Sequence, residues 1–124
     1  MITDYMEGGF LENIISMFRH DESFYPLIGD MLGDERVRVR IGTIALVEAL
    51  MPDNHDKIQT AIPGIARLLK KPEPTIRGDA AYLLGIIGHK YALPFLLEAA
   101  GDEHEMVREV VRDSVDMINS NRTA

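Results

Sequence analysis

Apolar residues recur at intervals of three and four along most of the chain, the spacing that places side chains on one face of an α-helix. The pattern starts in the stretch FLENIISMF, residues 10–18, and continues through three longer blocks. No stretch alternates apolar and polar residues with the period of two that a half-buried strand requires. The sequence therefore predicts an all-α protein with about seven helices.

The three longer blocks align on a proline, at Pro26, Pro63 and Pro94. Thirteen residues after each proline stands an aliphatic residue followed by arginine, and these pairs are Val39-Arg40, Ile76-Arg77 and Val107-Arg108. The blocks are offset by 37 and then 31 residues, which is the period range of repeats made of two helices. We interpret the blocks as three copies of one helical hairpin.

Apolar positions divide each block into two helices. In the first helix they lie at −1, +2, +5 and +6 from the proline, and in the second at 0, +8 and +11 from the aliphatic residue. The connections GDER, KKPEP and GDEH are short and polar, so the paired helices must run antiparallel. The middle copy is longer, and the stretch DNHD at 53–56 predicts a kink or a separate turn before Pro63.

The repeats are expected at about 22–51, 53–88 and 89–119 of a single domain that spans residues 1–124. We expect an N-terminal capping helix at about 10–19, because a stack of hairpins must cover its exposed end. Residues 1–9 should be frayed or capping structure. The stretch NSNRTA has no apolar content apart from its last residue, so residues 120–124 should form a disordered tail.

The segment from Ile76 to Gly88, IRGDAAYLLGIIG, resembles the second helix of a HEAT-like repeat of the phycobilisome-lyase type. The other two copies resemble it more loosely but in register, so that the resemblance covers about residues 24–119. It implies a right-handed α-solenoid, an α-α superhelix of about three hairpins whose second helices line a concave face. Scaffolds and adaptors outnumber enzymes in this family, so the resemblance favours a binding function.

The resemblance also implies a ladder of ion pairs along the stack, formed by Asp34, Arg40, Arg77, Asp102 and Arg108. In such repeats the acid of the turn between the helices bonds an arginine of the neighbouring repeat. The middle copy departs from the pattern, because Lys71 stands where the acid should be. Arg77 would then take its acid from Asp34, Asp102 or Glu73.

Charge and composition narrow the classes of function. The chain has 13 basic and 20 acidic residues, a formal charge of −7 and no cysteine. The acidic balance argues against binding to nucleic acid or to an anionic membrane, and it favours a basic or neutral protein partner. The lack of cysteine excludes disulfides and thiolate metal sites. No signal peptide or membrane-spanning run is recognisable, so we expect a cytoplasmic protein.

Catalytic chemistry has little support in the sequence. Deoxyhypusine hydroxylase, a di-iron enzyme of the family that the chain resembles, takes its metal ligands from His-Glu pairs directly after the arginine. Here those positions hold Ile41-Gly42, Gly78-Asp79 and Glu109-Val110. His104-Glu105 lies on a turn, and His20, His55 and His89 lie in connections far apart in sequence. We expect no catalytic residue, no metal site and no cofactor.

The predicted binding surface is the concave face of the second helices. Positions +2, +6 and +9 should point away from the core, which gives a smooth centre at Gly78, Tyr82 and Gly85. The residues expected to carry recognition are Tyr82, Asp79, Ile86, Glu109, Asp113 and Asp116. An aromatic side chain beside acidic ones would suit a peptide or helix that is basic and apolar.

Two alternatives stay open. Val110 and Met117 lie beside the core stripe of the last helix, where they could pair across a two-fold axis in a homodimer. The resemblance alone suggests the second alternative, a lyase- or chaperone-like subunit that acts on a tetrapyrrole-binding protein or on another protein substrate.

Overall fold

The computed structural model describes residues 2–54 and 56–123, without the side chains at 53, 54 and 121–123. Within these residues the chain forms α-helices and short 3-10 segments and no strand, which confirms the all-α prediction. The helices are α1 (Ile2–Glu7), α2 (Leu11–His20), α3 (Ile28–Leu32), α4 (Val37–Asn54), α5 (Ile62–Arg67), α6 (Pro74–Ile87), α7 (Leu93–Glu98) and α8 (Glu105–Thr123).

Three helical hairpins, α3–α4, α5–α6 and α7–α8, stack side by side to form an α-solenoid. The first helix of each hairpin is preceded by a 3-10 segment, at Glu22–Leu27, Lys57–Ala61 and Lys90–Ala92. Pro63 and Pro94 are each the second residue of their α-helix, where no intrahelical N–H is lost. Pro26 lies in the 3-10 segment, two residues before α3.

The extra residues of the middle copy lie before α5. Helix α4 continues through Asn54, and the separate turn expected before Pro63 is the 3-10 segment Lys57–Ala61. His55, within the stretch where this turn was expected to begin, lies outside the described residues.

The N-terminal region is more ordered than the sequence suggested. Residues 2–7 form helix α1, and α1 packs against both α2 and α4, so the predicted capping helix has a partner before it. Met6 is buried, and its side chain contacts the bare backbone of Gly42 in α4. Asp4 also forms a 3.1 Å ion pair with Arg36. Six residues are too few to show a helical period, so the sequence pattern does not reveal this helix.

The C-terminal end differs from the expectation as well. Helix α8 continues to Thr123, so residues 120–123 are helical rather than a disordered tail, and Ala124 lies outside the described residues. Polar composition does not end a helix by itself, and residues 119–123 contain neither glycine nor proline to stop one.

The core follows the predicted apolar stripes. In the second helices every stripe position is buried except Val115, which is half-buried. In the first helices of repeats 1 and 2 all eight stripe positions are buried, whereas in repeat 3 Leu93 and Ala99 are half-buried and Ala100 is exposed. The last hairpin has no following hairpin in the described residues to cover its outer side.

Repeats 1 and 2 are joined most closely through their first helices. A Cβ atom added to Gly29 of α3 would lie 2.5 Å from the carbonyl carbon of Gly64 in α5, so the two backbones touch. The corresponding positions between repeats 2 and 3 hold Ala66 and Phe95, and α5 and α7 make almost no backbone contact. Side-chain size therefore holds the first helices together at one joint and apart at the other.

Repeats 2 and 3 are instead joined through their second helices, α6 and α8, which pack along most of their length. Gly78 and Gly85 of α6 face Met106 and Ser114 of α8. The hydroxyl of Ser114 donates a buried 2.7 Å hydrogen bond to the carbonyl oxygen of Ala81. The equivalent positions of α4 hold Ile41, Ile44 and Glu48, and α4 contacts α6 over a shorter length. The two joints are thus tight in opposite layers.

The glycine contact between repeats 1 and 2 can be tested with two matched substitutions. Gly29→Ala should lower the free energy of unfolding by about 1–3 kcal/mol, because its methyl group would meet the backbone of Gly64. Gly64→Ala should stay within about 1 kcal/mol of the wild type, because the nearest atom to its Cβ is 3.4 Å away and alanine favours the helix. Urea denaturation measures both. Equal losses in the two variants would contradict the packing described here.

Candidate functional site

The arginines of the three aliphatic–arginine pairs bind the turn within their own hairpin. Arg40 Nη1 donates to the carbonyl oxygens of Asp34 and Glu35 at 2.9 and 3.0 Å. Arg77 makes the same two bonds to Lys71 and Pro72 at 2.8 and 2.7 Å. These carbonyls belong to the turn between the paired helices, where no regular structure supplies a donor, so an arginine at this register satisfies them in every repeat.

The third arginine completes the series. Arg108 Nη1 donates to the carbonyl oxygen of Asp102 at 2.8 Å, and this carbonyl again lies six residues earlier in the chain. The recurring spacing was visible in the sequence, but it indicated an acid–arginine pair rather than capture of a backbone carbonyl. The carboxylate groups of Asp34 and Asp102 serve the turn itself, since each accepts a 2.9 Å hydrogen bond from the backbone N–H two residues later.

One rung of the ladder is a buried two-point ion pair between neighbouring repeats. Arg77 donates from Nε and Nη2 to the two carboxylate oxygens of Asp102, at 2.8 and 3.1 Å. Both side chains are more than nine-tenths buried. The hydrogen bonds from Arg77 hold the pKa of Asp102 below its ordinary value, although desolvation acts in the opposite direction. This pair ties α6 to the turn that precedes α8.

The rung between repeats 1 and 2 differs, because repeat 2 has Lys71 where the other repeats have an aspartate. Arg40 Nε lies 3.9 Å from a carboxylate oxygen of Asp79, a residue of α6 that was predicted to serve recognition. Burial raises the pKa of Asp79, and the nearby Arg40 opposes that rise. Asp34 does not pair with a neighbouring repeat, because it accepts 2.9 and 3.0 Å hydrogen bonds from Arg36 of its own turn.

Tyr82 is the aromatic residue of the second-helix surface, which we define as the open faces of α6 and α8. Its side chain is 39% exposed, while Ile86 one turn later is half-buried and packs against the core. Asp79 and Ile86 lie on the side of α6 that turns toward α4, whereas Tyr82 points away from the core. The structure therefore leaves Tyr82 as the most accessible apolar side chain on α6.

The two glycines that were expected to form a smooth open centre have another role. Gly78 and Gly85 are buried, and they face α8 rather than solvent. The expectation was wrong because it considered one hairpin alone. In the stack, α8 of the next hairpin packs over this side of α6 and covers both glycines. No groove separates α6 from α8 at these two glycines, so the second-helix surface is a closely packed layer there.

The three acidic residues predicted for recognition, Glu109, Asp113 and Asp116, are all exposed on α8. They recur at intervals of four and three residues, so they form one stripe. The contacts of Gly78 with Met106 and of Gly85 with Ser114 set Tyr82 level with residues 109–113. The structure thus brings Tyr82 and the first part of the acidic stripe onto neighbouring helices.

Val110 and Met117, the residues of the dimer hypothesis, are placed differently from each other. Val110 is half-buried and packs against the core, whereas Met117 is 39% exposed. The apolar area that α8 offers to a second copy is therefore smaller than the sequence suggested.

His89 and His104 act in turns. The Nδ1 atoms of His89 and His104 each accept a backbone N–H from two residues later, at 3.1 and 3.3 Å. Within residues 2–54 and 56–123, no three side chains of histidine, aspartate or glutamate converge on a position where they could hold a metal ion. Across the same residues no helix combines the length and the apolar character that crossing a bilayer requires.

Helical hairpins that stack side by side define the class of α-solenoid repeat proteins. The family model for HEAT repeats matches residues 25–116, which is most of the chain, and the protein belongs to this family. Searches of curated proteins and of solved structures found no match to the chain. The finer resemblance to HEAT repeats of the phycobilisome-lyase type stays a prediction.

The buried ion pair predicts a pH-dependent effect of Asp102→Asn. Because the pKa of Asp102 is lowered in the folded state, its contribution to stability is complete above the unfolded value of about 3.9. That contribution is lost as the pH falls through the folded value. The variant should therefore be less stable than the wild type by a constant amount above about pH 5, and this difference should shrink below about pH 4.

Urea denaturation of both proteins at pH 7, 5 and 3 measures this difference. Asp116→Asn is the matched control, because it removes an exposed carboxylate of the same repeat and should change stability little. A difference between Asp102→Asn and the wild type that stays the same at pH 3 would contradict the assignment.

Proposed function

We propose that this chain is a non-catalytic protein-binding module, a scaffold or adaptor of the cytoplasm. HEAT repeats generally mediate contacts between proteins, and the family match covers most of the chain. The observation that carries the proposal is an accessible aromatic side chain, Tyr82, set beside an acidic stripe on two helices that are locked together. A rigid platform lowers the entropy lost when a partner binds.

The partner is a segment of another protein that combines basic and apolar side chains. Glu109, Asp113 and Asp116 offer three carboxylates along α8, and the whole chain carries a formal charge of −7. Such a field speeds encounter with a basic partner, while a partly exposed aromatic side chain supplies most of the binding energy when it is covered. Asp79 contributes less, because it faces Arg40.

The chemistry of the surface supports binding rather than catalysis. The titratable side chains of the second-helix surface lie on helix faces exposed to solvent, and the turn histidines are used for capping. A catalytic centre needs groups that converge on one position in a site shielded from water.

Substitution of the aromatic anchor tests the proposal. A partner isolated from the source cell and identified by mass spectrometry is titrated calorimetrically with the full chain and with its variants. Tyr82→Ala should weaken the affinity at least tenfold, as loss of an interface anchor does. Asp113→Lys should weaken it as well, with a smaller dependence of affinity on salt.

Two control variants match these changes. Tyr91→Ala removes an exposed tyrosine from the layer of first helices, and Asp30→Lys reverses a charge on α3. Both should leave the affinity within about twofold of the wild type. A partner that binds Tyr82→Ala and Asp113→Lys as tightly as the wild type would remove the second-helix surface from consideration.

A further inference from the structure

A groove opens between the first helices of repeats 2 and 3. Its volume is about 560 Å³, and every residue that lines it belongs to α5, to α7 or to the segments that directly follow them. None comes from a second helix, so the groove lies in the layer opposite to the second-helix surface. At the joint of repeats 1 and 2, Gly29 and Gly64 bring α3 and α5 into contact. The groove opens at the next joint, where Ala66 of α5 and Phe95 of α7 stand at the corresponding positions.

The inside of the groove is apolar. Leu69 and Ala66 contribute from the side of α5, and Phe95 and Ala99 from the side of α7. Phe95 is 40% exposed although it is a large aromatic residue in a closely packed helical protein. Partly open aromatic side chains in a concave site of this size are typical of surfaces that bury a ligand side chain.

Two cationic and two anionic side chains line the groove, but their pairing leaves one cation over. Asp102 lines it, but its carboxylate is already held by Arg77. Glu98 reaches across to Lys70 at 3.2 Å, and both of these side chains are well exposed, at 65% and 77%. Arg67 lines the groove and makes no hydrogen bond or ion pair with the described residues. One unpaired guanidinium therefore faces the groove of a chain whose formal charge is −7.

The pair that spans the groove is weak. Exposed lysine–glutamate pairs contribute little to stability, so Glu98 can leave Lys70 at little cost. A carboxylate brought in by a ligand would then find two cations, Arg67 and Lys70, beside an apolar cleft. Arginine is well suited to such a ligand, because its planar fork matches both carboxylate oxygens.

We propose that this groove binds a peptide segment of another protein that carries an aspartate or glutamate close to a large apolar side chain. The apolar side chain packs against Ala66 and Phe95 where they line the groove, and the carboxylate meets Arg67 and displaces Glu98 from Lys70. The preferred ligand is thus acidic, opposite in charge to the partner of the second-helix surface. This inference does not rest on the function proposed above.

Selection from a random peptide library tests the charge preference directly. The library is panned on the full chain at 150 mM salt, the enriched peptides are synthesised, and their affinities are measured by fluorescence polarisation. One enriched class should carry an acidic residue within about four positions of a phenylalanine, leucine or tryptophan. Arg67→Glu and Phe95→Ala should each weaken that class at least tenfold.

Each of these variants has a matched control. Arg38→Glu makes the same charge change on α4, and Leu97→Ala removes an exposed apolar side chain from α7 outside the groove. Both controls should bind the acidic peptides within about threefold of the wild type, and all four variants should keep the helical circular dichroism of the wild type. Equal loss of affinity for the acidic peptides in Arg67→Glu and Arg38→Glu would overturn the proposal. Such a result would mean that the peptides respond to the overall charge of the chain and not to the groove.

Other outcomes also overturn it. If no acidic and apolar class is enriched, or if Arg67→Glu binds that class normally, the groove is not its site. Self-association detected by light scattering and lost in Arg67→Glu would assign the groove to a second copy of the chain. Uptake of dodecanoate, lost in Arg67→Glu, without any peptide binding would assign the groove to an amphiphilic small molecule. Basic peptides that depend on Tyr82 report on the second-helix surface alone.

Discussion

The distance between neighbouring hairpins is the constraint on which the rest of this structure depends. Each hairpin buries its apolar stripe only by packing on the next, and the approach is limited by the side chains at the joint. Glycine against glycine, at Gly29 and Gly64, brings the first helices of repeats 1 and 2 into backbone contact. Gly78 and Gly85 of α6 leave room for Met106 and Ser114 of α8, so the second helices of repeats 2 and 3 pack closely. A joint that is tight in one layer is open in the other, and the positions of the open surfaces follow from this.

The arginine that recurs in every repeat solves a different problem. Each turn between paired helices contains backbone carbonyl oxygens that need a hydrogen-bond donor from elsewhere. An arginine in the first turn of the second helix reaches back to them, and its remaining N–H groups stay free for an acid of a neighbouring repeat. Lysine could not serve both roles, because it lacks the planar fork that binds two partners in fixed directions. Local backbone satisfaction and cohesion between repeats are therefore supplied by one side chain.

Much of the fold could be predicted from the sequence, because repeat period and apolar spacing are properties of a single hairpin. The stripe positions of all three second helices were found in this way. Repeat period and apolar spacing do not determine how one hairpin is rotated relative to the next. Gly78 and Gly85 lie on the far side of α6 from its own core stripe, yet α8 covers them. Helix α1 was missed for a related reason, since its buried residue Met6 packs into a space that exists only because Gly42 of α4 has no side chain.

The sequence also contains an indication of the groove, but it appears only when neighbouring repeats are compared with each other. Aligning the copies on their prolines pairs Gly29 with Gly64 at the first joint and Ala66 with Phe95 at the second, so the difference in size is already present in the sequence. Whether this difference in size opens a groove depends on which helices face each other, and the structure shows that α3 faces α5 and that α5 and α7 stay apart. The ion pair of Arg77 with Asp102 connects the two surfaces, because Asp102 lines the groove and Arg77 belongs to the helix that carries Tyr82. The open first-helix joint is therefore tied to the tight second-helix joint by this ion pair, which fixes the groove and the second-helix surface relative to each other.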